Sequence, residues 1–105
     1  MSRSRKAKTI YPPGMHHAWE RFFYAITELV EGRGDVRSRL KVAYENHLWG
    51  LLPDELPTDL QADFAWIMQM LTREQPFRNK KGTEIAKKIF SVYRSLDMKL
   101  HETFP

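Results

Sequence analysis

The stretch MHHAWERFFYAITELV, residues 15–30, decides the fold. On a helix, Met15, Trp19, Phe22, Phe23, Ile26, Leu29 and Val30 fall within an arc of about 120°, and Glu20, Arg21, Tyr24, Glu28 and Glu31 take the opposite side. Three of the seven apolar residues are aromatic, and burying one large apolar side chain is worth roughly 1.5–3 kcal/mol. The rest of the chain is therefore expected to assemble on this stripe.

Working outward, Tyr11-Pro12-Pro13-Gly14 cannot be helical and sets an extended entry, since proline fixes φ and biases its predecessor away from the α region. Downstream, Gly32-Arg33-Gly34 supplies a C-cap and a tight link, and Asp35 is an N-cap for a second helix over about 36–50. Val36, Leu40, Ala43, Tyr44, His47 and Leu51 are expected to face inward there, with Val42 and Trp49 on the back.

Leu51 to Pro57 breaks the helix, and Thr58 with Gln61 has the form of a capping box opening a third helix over about 58–72. Its inward set is Leu60, Phe64, Ile67, Met68 and Leu71, while Trp66 and Met70 point away. After the basic connection from Arg73 to Gly82, Thr83 is the expected N-cap of a fourth helix over about 83–100. Its inward stripe is Ile85, Ile89, Val92, Tyr93, Leu96 and Leu100, and Lys87, Lys88, Ser91 and Arg94 face out. The predicted fold is all-α: one four-helix, bundle-like domain over 11–105, with a disordered basic arm over 1–10.

The 105 residues leave room for one core, and an apolar fraction of 42% is ordinary for a globular chain. The absence of cysteine excludes disulfides and thiolate metal sites. No segment approaches 18 uncharged apolar residues, and the basic start lacks the apolar run of a signal peptide, so a cytoplasmic, intracellular protein without a membrane role is expected.

Charge is the most informative feature. Of the 17 lysines and arginines, four (Arg3, Arg5, Lys6 and Lys8) lie in the first eight residues, leaving 13 against 13 acids, so the arm accounts for the net +4. Val42 to Thr72 has five acids and no lysine or arginine, and Arg73 to Arg94 has seven bases and two acids, which predicts a negative and a positive half. Arg78, Lys80, Lys81, Lys87 and Arg94, with the arm, form the candidate nucleic-acid surface, because several cations in reach of one phosphate backbone bind by counterion release. A helix-turn-helix reading of helices two and three fails: the recognition helix would carry Asp59 and Asp63 and no base. Val42, Trp49, Trp66 and Met70 are the candidate protein interface, tryptophan being enriched at hot spots.

Other constellations are thinner. His16 and Glu20 share a helix face without a third ligand, so no metal or cofactor is expected, and His47 reads as a hydrogen-bonded core histidine. No nucleophile sits beside a recognisable base, no glycine-rich phosphate loop is present, and neither catalysis nor a small-molecule substrate is expected. Arg94 and His101, with six residues between them, have a spacing that resembles the active-site motif of the HEPN family of helical ribonucleases, which implies, as a lesser alternative, a basic pair acting on a scissile phosphate at a dimer interface. The leading expectation is a non-enzymatic accessory protein that contacts a protein or its own copy through the acidic-apolar face and nucleic acid or a ribonucleoprotein through the basic face. The competing class is a purely protein-directed regulator or inhibitor, such as phages and mobile elements encode, whose charges steer association.

Overall fold

The computed structural model describes residues 11–103, so the arm with Arg3, Arg5, Lys6 and Lys8 lies outside the described residues. The fold is all-α. Helix α1 spans Met15–Glu31, α2 Val36–Ala43, α3 Thr58–Thr72 and α4 Asn79–Thr103, with a π-helical turn at Tyr44–Leu48 and a 3-10 turn at Pro53–Glu55. No strand occurs among the described residues.

The centre of the assembly is α4 rather than α1. At 25 residues it is the longest helix, and α1, α2 and α3 all pack against it. Ile85, Ile89, Val92 and Leu96 of α4 are buried with Phe22, Leu40, Leu48, Leu56, Phe64 and Ile67. The Phe22 and Phe64 rings meet edge-on with centroids 6.2 Å apart, joining α1 to α3 across the core.

The buried face of α1 is Met15, Ala18, Phe22 and Ala25, rotated about 60° from the apolar arc read off the sequence. Ala18 and Ala25 have no exposed surface, whereas Phe23 is 42% and Val30 75% exposed. The reason is steric: alanine lets the α1 backbone come close to its neighbours, and the bulkier flank of the arc is left over the edge of the α1–α4 contact. Trp19 and Ile26 lie on that flank, half-buried, and Leu29, in line with the buried face, is half-buried near the helix end.

Local chemistry explains most boundaries. Asp35 caps α2 as expected, its Oδ1 accepting from the Ser38 backbone N–H at 2.9 Å, a bond that pulls the Asp35 pKa down. The chain reaches that cap through Gly34, whose φ of +89° is open to glycine without strain. The second helix does not run as α-helix to residue 50. One extra residue enters the turn, the Trp49 N–H bonds to the Tyr44 carbonyl at 2.8 Å, and the shifted phase buries Leu48. At α3 the expected capping box is absent: Thr58 is already helical, and Gln61 Nε2 donates instead to the Leu56 carbonyl at 3.0 Å.

The fourth helix begins at Asn79, four residues before the expected cap. Thr83 lies inside it, its hydroxyl donating to the Asn79 carbonyl at 3.1 Å. Gly82 is buried within the first turns, and a Cβ there would sit 2.9 Å from Val36 Cγ1. It reads as a breaker in sequence and serves in the fold as a point of close approach between α2 and α4.

Candidate nucleic-acid interface

Starting four residues early, α4 carries most of the candidate basic residues on its own surface. Lys80 and Lys81 belong to its first turn, and Arg78 just precedes it, the Arg78 carbonyl accepting from the Gly82 N–H at 2.9 Å. Lys80, Lys87 and Arg94 follow one another at intervals of seven residues, two helical turns or about 10.5 Å, and so form a nearly straight row along the helix. All three are exposed.

The bases of α4 are sorted by direction. Lys88 Nζ lies 3.4 Å from Asp63 Oδ1, and Lys99 Nζ lies 3.1 Å from Asp59 Oδ2, so the two cations that point toward α3 meet its aspartates. One of these pairs, Lys88–Asp63, joins the basic stretch to the acidic one across the α3–α4 contact. Lys81 pairs with Glu84 at 3.1 Å. Arg78, Lys80, Lys87 and Arg94 have no acid within ion-pair distance among the described residues.

Beside the row lies an aromatic seam that the sequence reading missed. Phe90 falls between Lys87 and Arg94, three residues after one and four before the other, is 49% exposed, and has the Arg94 guanidinium carbon 5.9 Å from its ring centroid. Across the antiparallel α1, Trp19 and Phe23 are stacked at 5.7 Å, and both approach Tyr93, at 6.1 and 6.3 Å. Trp19 Nε1 donates to Asp97 Oδ1 at 3.1 Å, and burial together with the nearby Asp97 charge keeps the Tyr93 phenol protonated beyond its usual range. Toward the other end the seam opens into a groove of about 420 Å³, lined by Ile26, Leu29 and Val30 of α1, Val36 and Arg39 of α2, and Thr83, Ala86, Lys87 and Phe90 of α4. The available signal was Phe90 itself, an aromatic that falls off the core stripe of its helix and between two cations.

The residues expected to form a protein-binding patch are divided. Trp49 is 70% exposed and Val42 38%, and Leu52, not anticipated, adds an exposed side chain beside the Trp49–Gly50 turn. Trp66 and Met70 are half-buried against the core, on the flank of an outward face of α3 whose Ala62, Ala65 and Gln69 are exposed.

The histidines are engaged locally. His47, expected as a hydrogen-bonded core histidine, is only half-buried: it lies 3.4 Å from Glu28 Oε1 and stacks on Tyr24 at 5.7 Å, and its Nδ1 is buried without a partner. His16 meets the edge of Trp19 at 5.6 Å. Among the described residues no three histidine or carboxylate side chains gather as a metal site. Arg94 and His101 extend the same surface row, with the His101 Nδ1–H directed at the Asp97 carbonyl at 2.7 Å. No helix among the described residues is long and apolar enough to cross a membrane. Compared with known proteins, the chain matches no family model, no curated protein and no solved structure.

Proposed function

We propose that this chain is a non-enzymatic helical binding protein whose α4 surface engages the phosphate backbone of nucleic acid. The observation that carries this reading is the sorting of the α4 cations: Lys88 and Lys99 face aspartates of α3, whereas Lys80, Lys87 and Arg94 form an exposed row with no acid at ion-pair distance among the described residues, the neighbouring Glu84 being paired with Lys81. Lys80 and Lys81 also occupy the first turn of a helix, where the macrodipole disfavours cations, and that turn contains no acid. Stability alone favours the reverse arrangement; an incoming phosphate resolves the conflict. The arm cations Arg3, Arg5, Lys6 and Lys8 add to the same electrostatic sum.

The test is the salt dependence of binding. Log affinity for a generic RNA or DNA should fall linearly with log salt, by roughly 0.7–0.9 per neutralised phosphate, and the Lys87→Gln/Arg94→Gln double variant should flatten that slope. Absence of binding at low salt overturns the proposal.

A purely protein-directed role is the second reading. It is favoured by the exposure of Trp49 and Leu52, 70% and 56%, at one turn, since such a pair resembles an anchor for a protein pocket.

A further inference from the structure

Resting on that reading, the geometry points to single-stranded rather than duplex nucleic acid as the ligand, with phosphates along Lys80, Lys87 and Arg94 and bases laid on Phe90 and into the groove between α1 and α4. Lys87, Phe90 and Arg94 form one row of cation, ring and cation at helical spacing, so a backbone tracking the cations carries its bases across an exposed aromatic face. The apolar surface continues sideways from Phe90 into the 420 Å³ groove and to Val30, which is 75% exposed. Lys87 lines the groove beside Phe90, and Arg39, whose guanidinium donates to the Leu29 carbonyl, lines it from α2, so the apolar surface lies between cations and suits a ligand that is both anionic and flat.

A duplex does not fit this surface. Its bases are already stacked on both faces, and covering Phe90 or Val30 requires unstacking a step against the duplex's own stacking energy. An unpaired strand supplies free π-faces, and stacking on an aromatic side chain tolerates any sequence.

The experiment measures fluorescence anisotropy of a labelled oligothymidylate and of a labelled duplex of equal length at low salt, with wild type, Phe90→Ala and Phe90→Tyr. Wild type should bind the single strand more tightly than the duplex. Phe90→Ala should weaken single-strand binding on the order of ten-fold and leave duplex binding within about two-fold, and Phe90→Tyr, which keeps the ring, should restore it. Thermal melts of the free variants serve as the folding control, since Phe90 is half exposed. Equal affinity for strand and duplex, or a Phe90→Ala variant that binds the strand like wild type, overturns the inference and leaves backbone binding standing. Binding of neither ligand removes both. If sedimentation equilibrium shows a wild-type dimer that Phe90→Ala dissociates, the seam belongs to a second copy and the inference fails.

Discussion

Lys88 Nζ lies 3.4 Å from Asp63 Oδ1, and this contact, repeated by Lys99 and Asp59 at 3.1 Å, divides the positive charge of α4 into a neutralised side and a free side. Lys87 and Lys88 are neighbours in sequence yet differ in what they offer a phosphate. Each variant Lys87→Gln and Lys88→Gln removes one unit of charge, so the two are matched controls. Lys87→Gln should weaken nucleic-acid binding several-fold and Lys88→Gln markedly less, and loss of the exposed Lys88 pair should cost no more than about 1 kcal/mol of stability. Equal weakening by both would show that only net charge matters.

Trp49 and Trp66 should respond oppositely to the same substitution. Trp49→Glu places a carboxylate where the side chain is 70% exposed and should leave the stability measured by urea unfolding within about 0.5 kcal/mol of wild type. Trp66→Glu forces a charge among residues packed on the core and should destabilise by roughly 2–4 kcal/mol. A partner captured by wild type and lost only with Trp49→Glu would support the protein-directed reading.

Gly82→Ala sets helix propensity against packing. Alanine gains about 1 kcal/mol in a helix interior, but its Cβ would lie 2.9 Å from Val36 Cγ1, and overpacking of this kind costs about 1–3 kcal/mol. The variant should be less stable than wild type. Val36→Ala made in the same chain should recover much of the loss, giving a non-additive double-mutant cycle by chemical denaturation.

Glu55 makes stability fall in acid. Burial pushes its pKa up, but the Leu52 N–H at 2.8 Å and His17 at 2.6 Å outweigh it and hold the carboxyl below the ordinary glutamate value of about 4.5. Because the folded pKa lies below the unfolded one, the contribution is complete above about pH 4.5 and is lost as pH falls through the lower folded value. Urea midpoints from pH 7 downward should therefore decline more steeply below pH 4.5 in wild type than in Glu55→Gln. Parallel curves would remove Glu55 from the acid response.

By itself the sequence determined the class, the helix count and most of the core. Apolar spacing at 3.6 residues marks Phe22, Leu40, Phe64, Ile67, Ile85, Ile89, Val92 and Leu96, all buried, and Asp35 caps α2 through chemistry contained within four residues. Such local signals need no knowledge of the neighbours. Tertiary structure decided which part of each apolar arc is covered. In α1 the closeness allowed by Ala18 and Ala25 outweighed the bulk of Phe23 and Val30, because backbones approach where side chains are small, and hydropathy ranks alanine below phenylalanine whatever faces it. It decided the start of α4, where Gly82 reads as a breaker until Val36 is placed against it. It decided the candidate site in the same way. The charges of Asp59, Asp63, Lys88 and Lys99 are plain in the sequence, but which cations they silence depends on the rotation of α3 against α4, and that rotation is set by the buried residues between them.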